Sequence, residues 1–371
     1  MRDKVLVVGM DGLRFDRLVA IRPPVLSALM STGAYGTSTL PYGEPEAPRT
    51  ESPGQIVPEE AIGSPAPTHA APAPEDARAN NDDRPTDAPR STDDTEATDA
   101  PRSTDDVGAT DAPRSTDDVG ATDDPRATGE EEESVRVIRA RTDSGPGWAS
   151  IATGVWPDKH GVVDNGFAAP QFTKYPDFLT RAQEARPDLV TSAFFSWAAL
   201  AEHGAFGPAI GTRFVLDGYA LTWSVADRQV ADAARDHLAN AGPDLSFVYL
   251  GDTDEVAHAL GPLCPEYTDA LLLQDAYLGG LLDTIRARPS FGHERWTVLV
   301  TTDHGHVDAG GHGGVSGEER TVFVIGARLG EDLGGVRLQD PRPVDVAPTA
   351  LDRLGIAVDP AWDLDGAPLA F

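Results

Sequence analysis

Residues 296–314 read WTVLVTTDHGHVDAGGHGG, and the class of fold follows from them. The run Val298-Leu299-Val300 is too short for a helix and rich in β-branched residues, the pattern of a strand buried in an α/β sheet. Directly past its carboxyl end come Asp303, His304, His306, Asp308 and His312, threaded through glycines. In open α/β sheets ligands bind outside the carboxyl ends of the strands. Three of the chain's nine histidines and two carboxylates fall in this one stretch, which makes it a candidate metal site, since imidazole and carboxylate suit zinc, manganese or iron. A polar, glycine-rich surface turn is the other reading of the same residues.

Three further stretches repeat the arrangement. Near the start, the apolar strand VLVVG (residues 5–9) runs into Met10-Asp11-Gly12, so Asp11 occupies the same kind of position as Asp303. An Asp-Gly pair is also an ordinary turn former. Strand 246–250 leads into GDTDEVAHALGP, where Asp254 and His258 stand four apart, on one side of a helical turn. Between them in the chain lies RTDSGPGWASIATGVWPDKHGVVDN, with Asp143, Ser144, Gly145 and Pro146 marking a helix start and Pro146 expected at its first helical position. A hydroxyl there sits at the positive end of a helix dipole, among free N–H groups, where an alkoxide and an incoming phosphate are both favoured. Ser144 reads equally well as a simple helix N-cap.

The remaining elements alternate. Helical spacing covers 15–31 with a break at Pro23-Pro24, and 176–185, 197–203, 225–240, 267–288 and 344–354; strands are expected at 34–40, 135–140, 189–195, around Phe214, and at 321–325. His203 and His237 fall in a turn and on a helix and read as structural. The expected fold is α/β, a three-layer α/β/α sandwich around a central, mostly parallel sheet.

Residues 44–134 differ in character. They hold 25 Asp or Glu against 7 Arg and no Lys, which is −18 of the chain's formal charge of −30. TDAPRSTDD begins at Thr86, Thr98 and Thr110 and decays into TDDPRATG from Thr122, a twelve-residue repeat without an apolar face. Such a segment buries too little surface to offset its ordering entropy, so it is expected to be a disordered acidic insertion. One folded domain, residues 1–43 plus 135–371, is expected around it, with 135–140 as the return strand of an interrupted hairpin.

Composition narrows the function. The single cysteine, Cys264, excludes a cysteine-based zinc cluster and an internal disulfide. Clustered Lys and Arg are lacking, which argues against duplex nucleic acid as a partner. No signal segment and no run of eighteen apolar residues is present, so a cytoplasmic protein with no membrane association is expected. The sequence leaves the oligomeric state open. Asp11, Ser144, Asp254, His258, Asp303, His304 and His312 together suit two divalent ions better than one, and a pair of ions ~4 Å apart can clamp a transferring phosphoryl group.

At this point a resemblance is clear. VLVVGMDG, SGPGWASIATGVWPDKHGV, YLGDTDEVAHALGP, TTDHGH, GGHGG and DVAPTALDRLGI occur in the order found in the alkaline phosphatase superfamily, and the chain most resembles its type I phosphodiesterase and nucleotide pyrophosphatase branch. The resemblance implies an alkaline-phosphatase-like fold and a metal-dependent hydrolase of small phosphoesters. It implies one zinc held by Asp254, His258 and His312, a second held by Asp11, Asp303 and His304, and Ser144 as a nucleophile that forms a phosphoseryl intermediate; manganese is the alternative metal. Many relatives have Thr in place of Ser144, and an Asn where this chain has Gly147, which leaves Asn165 as a polar candidate near the pocket. Asp252, His306 and Asp308 are expected to orient ligands or to be solvated. Phosphomonoesterase, phosphonate hydrolase or manganese-dependent phosphomutase activity, or an inactive scaffold whose repeat binds partners, are the alternatives.

Overall fold

The computed structural model describes residues 1–45, 56–57 and 136–371. Strand β1 (Arg2–Met10) is followed by β2 (Ala34–Thr39), β3 (Tyr42–Pro45), β4 (Ile56–Val57), β5 (Val137–Arg139), β6 (Thr191–Phe195), β7 (Thr212–Val215), β8 (Leu245–Leu250), β9 (Glu294–Thr301), β10 (Thr321–Arg328) and β11 (Val336–Leu338). Nine of these form one sheet in the order β4-β11-β2-β10-β9-β1-β8-β6-β7, while β3 and β5 pair separately. From β9 to β7 neighbouring strands are parallel; β10 runs antiparallel to both its neighbours, β9 and β2.

Strict alternation along the central strands builds two cores. Val5 and Val7 of β1, Phe247 and Tyr249 of β8 and Leu299 of β9 face one side, where helices Ser144–Thr153, Phe178–Ala185 and Val346–Arg353 pack. Leu6, Val8, Val248, Val298 and Val300 face the other, against helices Pro24–Thr32, Trp223–Asn240 and Pro265–Arg286. A sheet buried on both faces needs apolar residues at successive positions, which is why these strands read as continuous apolar runs. The result is the expected α/β/α sandwich with a mostly parallel sheet.

Two details correct the sequence reading, and a third supplies a direction it left open. Pro146 is the third residue of its helix, not the first: Asp143 is the N-cap, Ser144 opens the helix, and the first i→i−4 bond is Gly147 N–H to Asp143 O. A proline there costs nothing, because the N–H it lacks is one of the first turn's unpaired donors. The run 321–325, extended to Arg328, is antiparallel, since an apolar run carries no direction. Within the span expected to be a disordered insertion, residues 44–45 complete β3, and Ile56–Val57 pairs antiparallel with β11. The remainder of that expectation, over 46–55 and 58–134, lies outside the described residues. On either side of it β3 and β5 pair antiparallel, Tyr42 opposite Arg139 and Pro45 opposite Val137, as a hairpin's two arms would. Among the described residues no helix is long and apolar enough to cross a membrane.

Candidate active site

The register of β8, β1 and β9 sets the site. Met10 lies opposite Leu250 and Gly9 opposite Thr301, so the three parallel strands end level, and Asp11, Asp254 and Asp303 emerge side by side from their carboxyl ends. Asp254 rides on helix Asp252–Leu260. That helix starts where it does because the buried carboxylate of Asp227, on helix Trp223–Asn240, accepts the N–H groups of Gly251 and Asp252 at 2.9 and 3.0 Å. Ser196 Oγ and Gln274 Nε2 donate to the same carboxylate at 2.6 and 2.9 Å. Thr253 Oγ1 then donates to the Asp11 carbonyl at 2.7 Å, which ties the first ligand-bearing turn to the second.

Around His304 the polar groups converge. Its Nδ1 lies 3.1 Å from the Gly305 carbonyl, so Nε2 carries the lone pair. His304 Nε2 stands 3.5 Å from Asp11 Oδ1, 3.3 Å from Asp303 Oδ2 and 3.1 Å from Ser144 Oγ. Asp11 Oδ2 accepts from Trp148 Nε1 at 2.8 Å and from the Tyr249 hydroxyl, and Asp303 Oδ1 from Gly12 N–H at 3.3 Å. The two other oxygens, Asp11 Oδ1 and Asp303 Oδ2, are buried and have no hydrogen-bond partner among the described residues. A buried, unpaired carboxylate oxygen is costly. Here two of them face one imidazole lone pair and one hydroxyl.

Beside this group lies a second. His312 Nε2 is 3.6 Å from Asp254 Oδ1, and His258 Nε2 is 3.5 Å from Asp254 Oδ2 and 2.8 Å from His312 Nε2. His304 belongs to both groups by proximity: ligand atoms of Asp254, His304 and His312 lie within 4.8 Å of one another, as do those of Asp11, Asp303 and His304. Donors held 2.0–2.2 Å from a tetrahedral ion stand ~3.3–3.6 Å apart, the spacing of most of these pairs. The residues fit divalent cations in donor type, in spacing and in their unpaired oxygens.

Charge points the same way. Burial, then the charge of Asp254, pushes the Asp11 carboxyl up to about 8. Burial takes Asp254 to about 7, and Asp303 well above its ordinary range. Burial holds His304 well below an ordinary imidazole, and takes His306 to about 4 and His312 to about 3. Three crowded carboxylates and a set of neutral imidazoles form a cluster that a cation would relieve.

Two close approaches fix the backbone. Gly12, at φ +61°, leaves no room for a Cβ, which would fall 2.5 Å from His306 Nε2 and 2.6 Å from Asp254 Oδ1. A Cβ on Gly147 would sit 2.7 Å from the Cβ of Asp303, so the helix bearing Ser144 packs directly on that carboxylate's backbone. An asparagine side chain at this position has no space in the present packing.

The other residues singled out in the sequence separate clearly. His306 is buried with Nε2 2.8 Å from Asp254 Oδ1, where it can orient that carboxylate. Asp308 is exposed and pairs with Arg14 at 2.6 Å, and Asp252 lies outside both ligand groups. Asn165 Oδ1 accepts the Gly145 N–H at 2.6 Å, one residue from Ser144. His203 stacks on Phe167, and His237 packs against Phe194. Trp148, Tyr249 and Asp227 escaped the sequence reading because each looks like core or an ordinary helix residue until its long-range partner is seen.

The sequence profile described as type I phosphodiesterase / nucleotide pyrophosphatase matches residues 140–320, a span that includes Ser144, Asp254, His258, Asp303, His304 and His312. An uncharacterized pyrophosphatase/phosphodiesterase of Schizosaccharomyces pombe is 25% identical over 178 residues, 43% of this chain and 35% of that protein. A venom phosphodiesterase of Crotalus durissus collilineatus is 25% identical over 170 residues, 42% of this chain and 20% of its own. The match thus spans only a minor part of these relatives. Among solved structures, a 2-O GAG sulfatase superposes over 100% of this chain and 73% of its own at 12% identity with a TM-score of 0.55, a likeness of fold.

Proposed function

From a chain that over residues 140–320 is of the type I phosphodiesterase / nucleotide pyrophosphatase family, within the alkaline phosphatase superfamily, we propose a metal-dependent hydrolase of small phosphoric esters, with diesters as its substrate class and Ser144 as its nucleophile. One observation carries the reading: the unpaired buried oxygens of Asp11 and Asp303 lie beside His304 Nε2, with Ser144 Oγ next to it. Asp11, Asp303 and His304 would hold one divalent ion, and Asp254, His258 and His312 the other; zinc suits the mixed imidazole and carboxylate set, and manganese is the alternative. When bound, the ions supply positive charge that favours the ionised serine and neutralises phosphoryl oxygens.

The chain's own residues do the rest. Ser144 opens its helix, so its oxygen lies at the positive end of the dipole and its charge is favoured there. Asn165, whose Oδ1 accepts the Gly145 N–H, borders the same helix end, and its amide N–H would serve as a donor to a phosphoryl oxygen. Ser144 Oγ loses its proton to solvent and attacks phosphorus in line; the Oγ–P bond forms, the bond to the leaving oxygen breaks and that oxygen takes a proton from solvent, and water then cleaves the phosphoseryl ester, releasing the phosphate product and returning the hydroxyl. His306 keeps Asp254 oriented throughout.

The decisive experiment is metal analysis of the purified protein combined with a panel of nitrophenyl phosphate monoester, diester and phosphonate substrates. Two divalent ions per chain and fastest turnover of the diester are expected. A protein that binds no divalent ion, or hydrolyses none of the three, overturns the proposal; faster turnover of the monoester or phosphonate replaces the diester assignment.

A further inference from the structure

Asp303, His304 and His312 all lie on the irregular backbone between β9 and helix Gly317–Arg320, and His312 sits in the part of that loop where Gly310, Gly311 and Gly313 take positive φ. A segment without a regular hydrogen-bond ladder is located only by what grips it from outside. Two side chains grip the backbone just after His312. Glu319 accepts the N–H groups of Gly314 and Ser316 at 2.7 and 3.0 Å. Thr142 Oγ1 accepts the Gly313 N–H at 2.8 Å and donates to the Gly314 carbonyl at 3.0 Å.

Thr142 is the more telling of the two. It is fully buried, and its hydroxyl spends its donor and an acceptor on the two residues that directly follow His312. Thr142 also stands two residues before Ser144, at the entry to the helix that presents it. A single side chain thus ties the turn bearing the hydroxyl to the loop bearing the imidazole.

We propose that Thr142 is a positioning residue that sets His312 against Ser144 and thereby governs the ion that Asp254, His258 and His312 would hold. The inference rests on the metal-centre reading above. Outer partners of metal ligands typically change metal affinity by about 10–100-fold when removed, which is the size of effect expected here.

The test uses the full chain with Thr142→Val, which keeps the shape and removes the hydroxyl, and Thr142→Ser, which keeps the hydroxyl. Glu319→Gln loosens the same loop from its other side and decides the matter should Thr142→Val not fold. Bound zinc is counted, its release to a chromogenic chelator is timed, and melting is followed with and without excess chelator. Thr142→Val should release one of its two ions at least about tenfold faster while the other is unchanged, and Thr142→Ser should restore wild-type release. A merely structural role would lower the melting temperature equally in metal-loaded and metal-free protein and leave both release rates alone; that outcome, or a serine variant as impaired as the valine one, overturns the proposal. A wild-type protein lacking two ions overturns the metal-centre reading itself, whereas two ions in the wild type with unaltered release from the variants overturns only the role of Thr142.

Discussion

Ser144 Oγ lies 3.1 Å from His304 Nε2. On its own that pair would serve as a nucleophile and its general base. The surroundings favour a shared cation instead, because a serine–histidine dyad leaves Asp11 Oδ1 and Asp303 Oδ2 buried and unpaired, while a cation answers all four groups. Replacing His304 by Ala should therefore lower the metal content and reduce turnover by at least about a thousandfold, with no recovery in added imidazole. Full metal content with imidazole-restored turnover would make His304 a base and not a ligand.

Ser144→Ala separates chemistry from assembly. The hydroxyl is removed without touching Asp11, Asp303 or His304, so two ions should remain bound while diester turnover falls by roughly a thousandfold or more. Ser144→Thr should keep measurable turnover and form a labelled enzyme ester with a slow substrate. Unimpaired hydrolysis by the alanine variant rules Ser144 out as the nucleophile.

How much of this was legible in the sequence depends on the range of the signal. VLVVG and VLVT announce buried strands, and Asp11, Asp254 and Asp303 stand out because each follows such a run within a few residues. Their meeting follows from β8, β1 and β9 being neighbours, which the alternation of elements makes a small step. Strand β11 is three residues long and β4 two, too short for any periodicity to register. Thr142, Trp148 and Tyr249 act on partners between 137 and 238 positions away, and a buried threonine or aromatic looks like core until the partner is known. The Ser144 helix starts two residues before the position Pro146 suggests, because proline is acceptable throughout a helix's first turn.

Far from the site, Lys4 offers a test of what holds β1 in place. Its ammonium is buried, donates to Asp244 Oδ1 at 2.9 Å and to the carbonyls of Gly242 and Pro243 at 2.8 Å each, and burial lowers its pKa. Asp244 also accepts the Val190 N–H at 3.0 Å, so it joins β1 to the entries of β6 and β8. Asp244→Ala strands a buried positive charge and should cost about 3–5 kcal/mol in denaturant unfolding, whereas Lys4→Met combined with Asp244→Leu should recover much of that loss. A single variant as stable as wild type would show that the pair carries no weight.

His160 predicts a pH dependence with a definite sign. It is buried at the end of the short helix Pro157–His160; its Nδ1 accepts the Val162 N–H at 3.1 Å, which leaves the proton on Nε2 to be donated to Ser150 Oγ at 3.0 Å. Burial, opposed by the charges of Asp158 and Asp365, pushes its pKa down to about 3. In the unfolded chain an ordinary histidine takes up its proton near pH ~6.5. Below that pH the unfolded state binds a proton that the native state refuses, so this residue's contribution to stability falls as pH drops from about 6.5 toward 3, by up to about 1.4 kcal/mol per pH unit. Against that background His160→Asn should be less stable than wild type at pH 7.5, by roughly 1–3 kcal/mol for two disturbed hydrogen bonds, and the gap should narrow steadily on acidification to pH 4.5. Urea midpoints of the two proteins across that range measure it. A gap that stays constant between those two pH values would mean that folded and unfolded His160 titrate alike, and that the buried, neutral ring is not what the native protein contains.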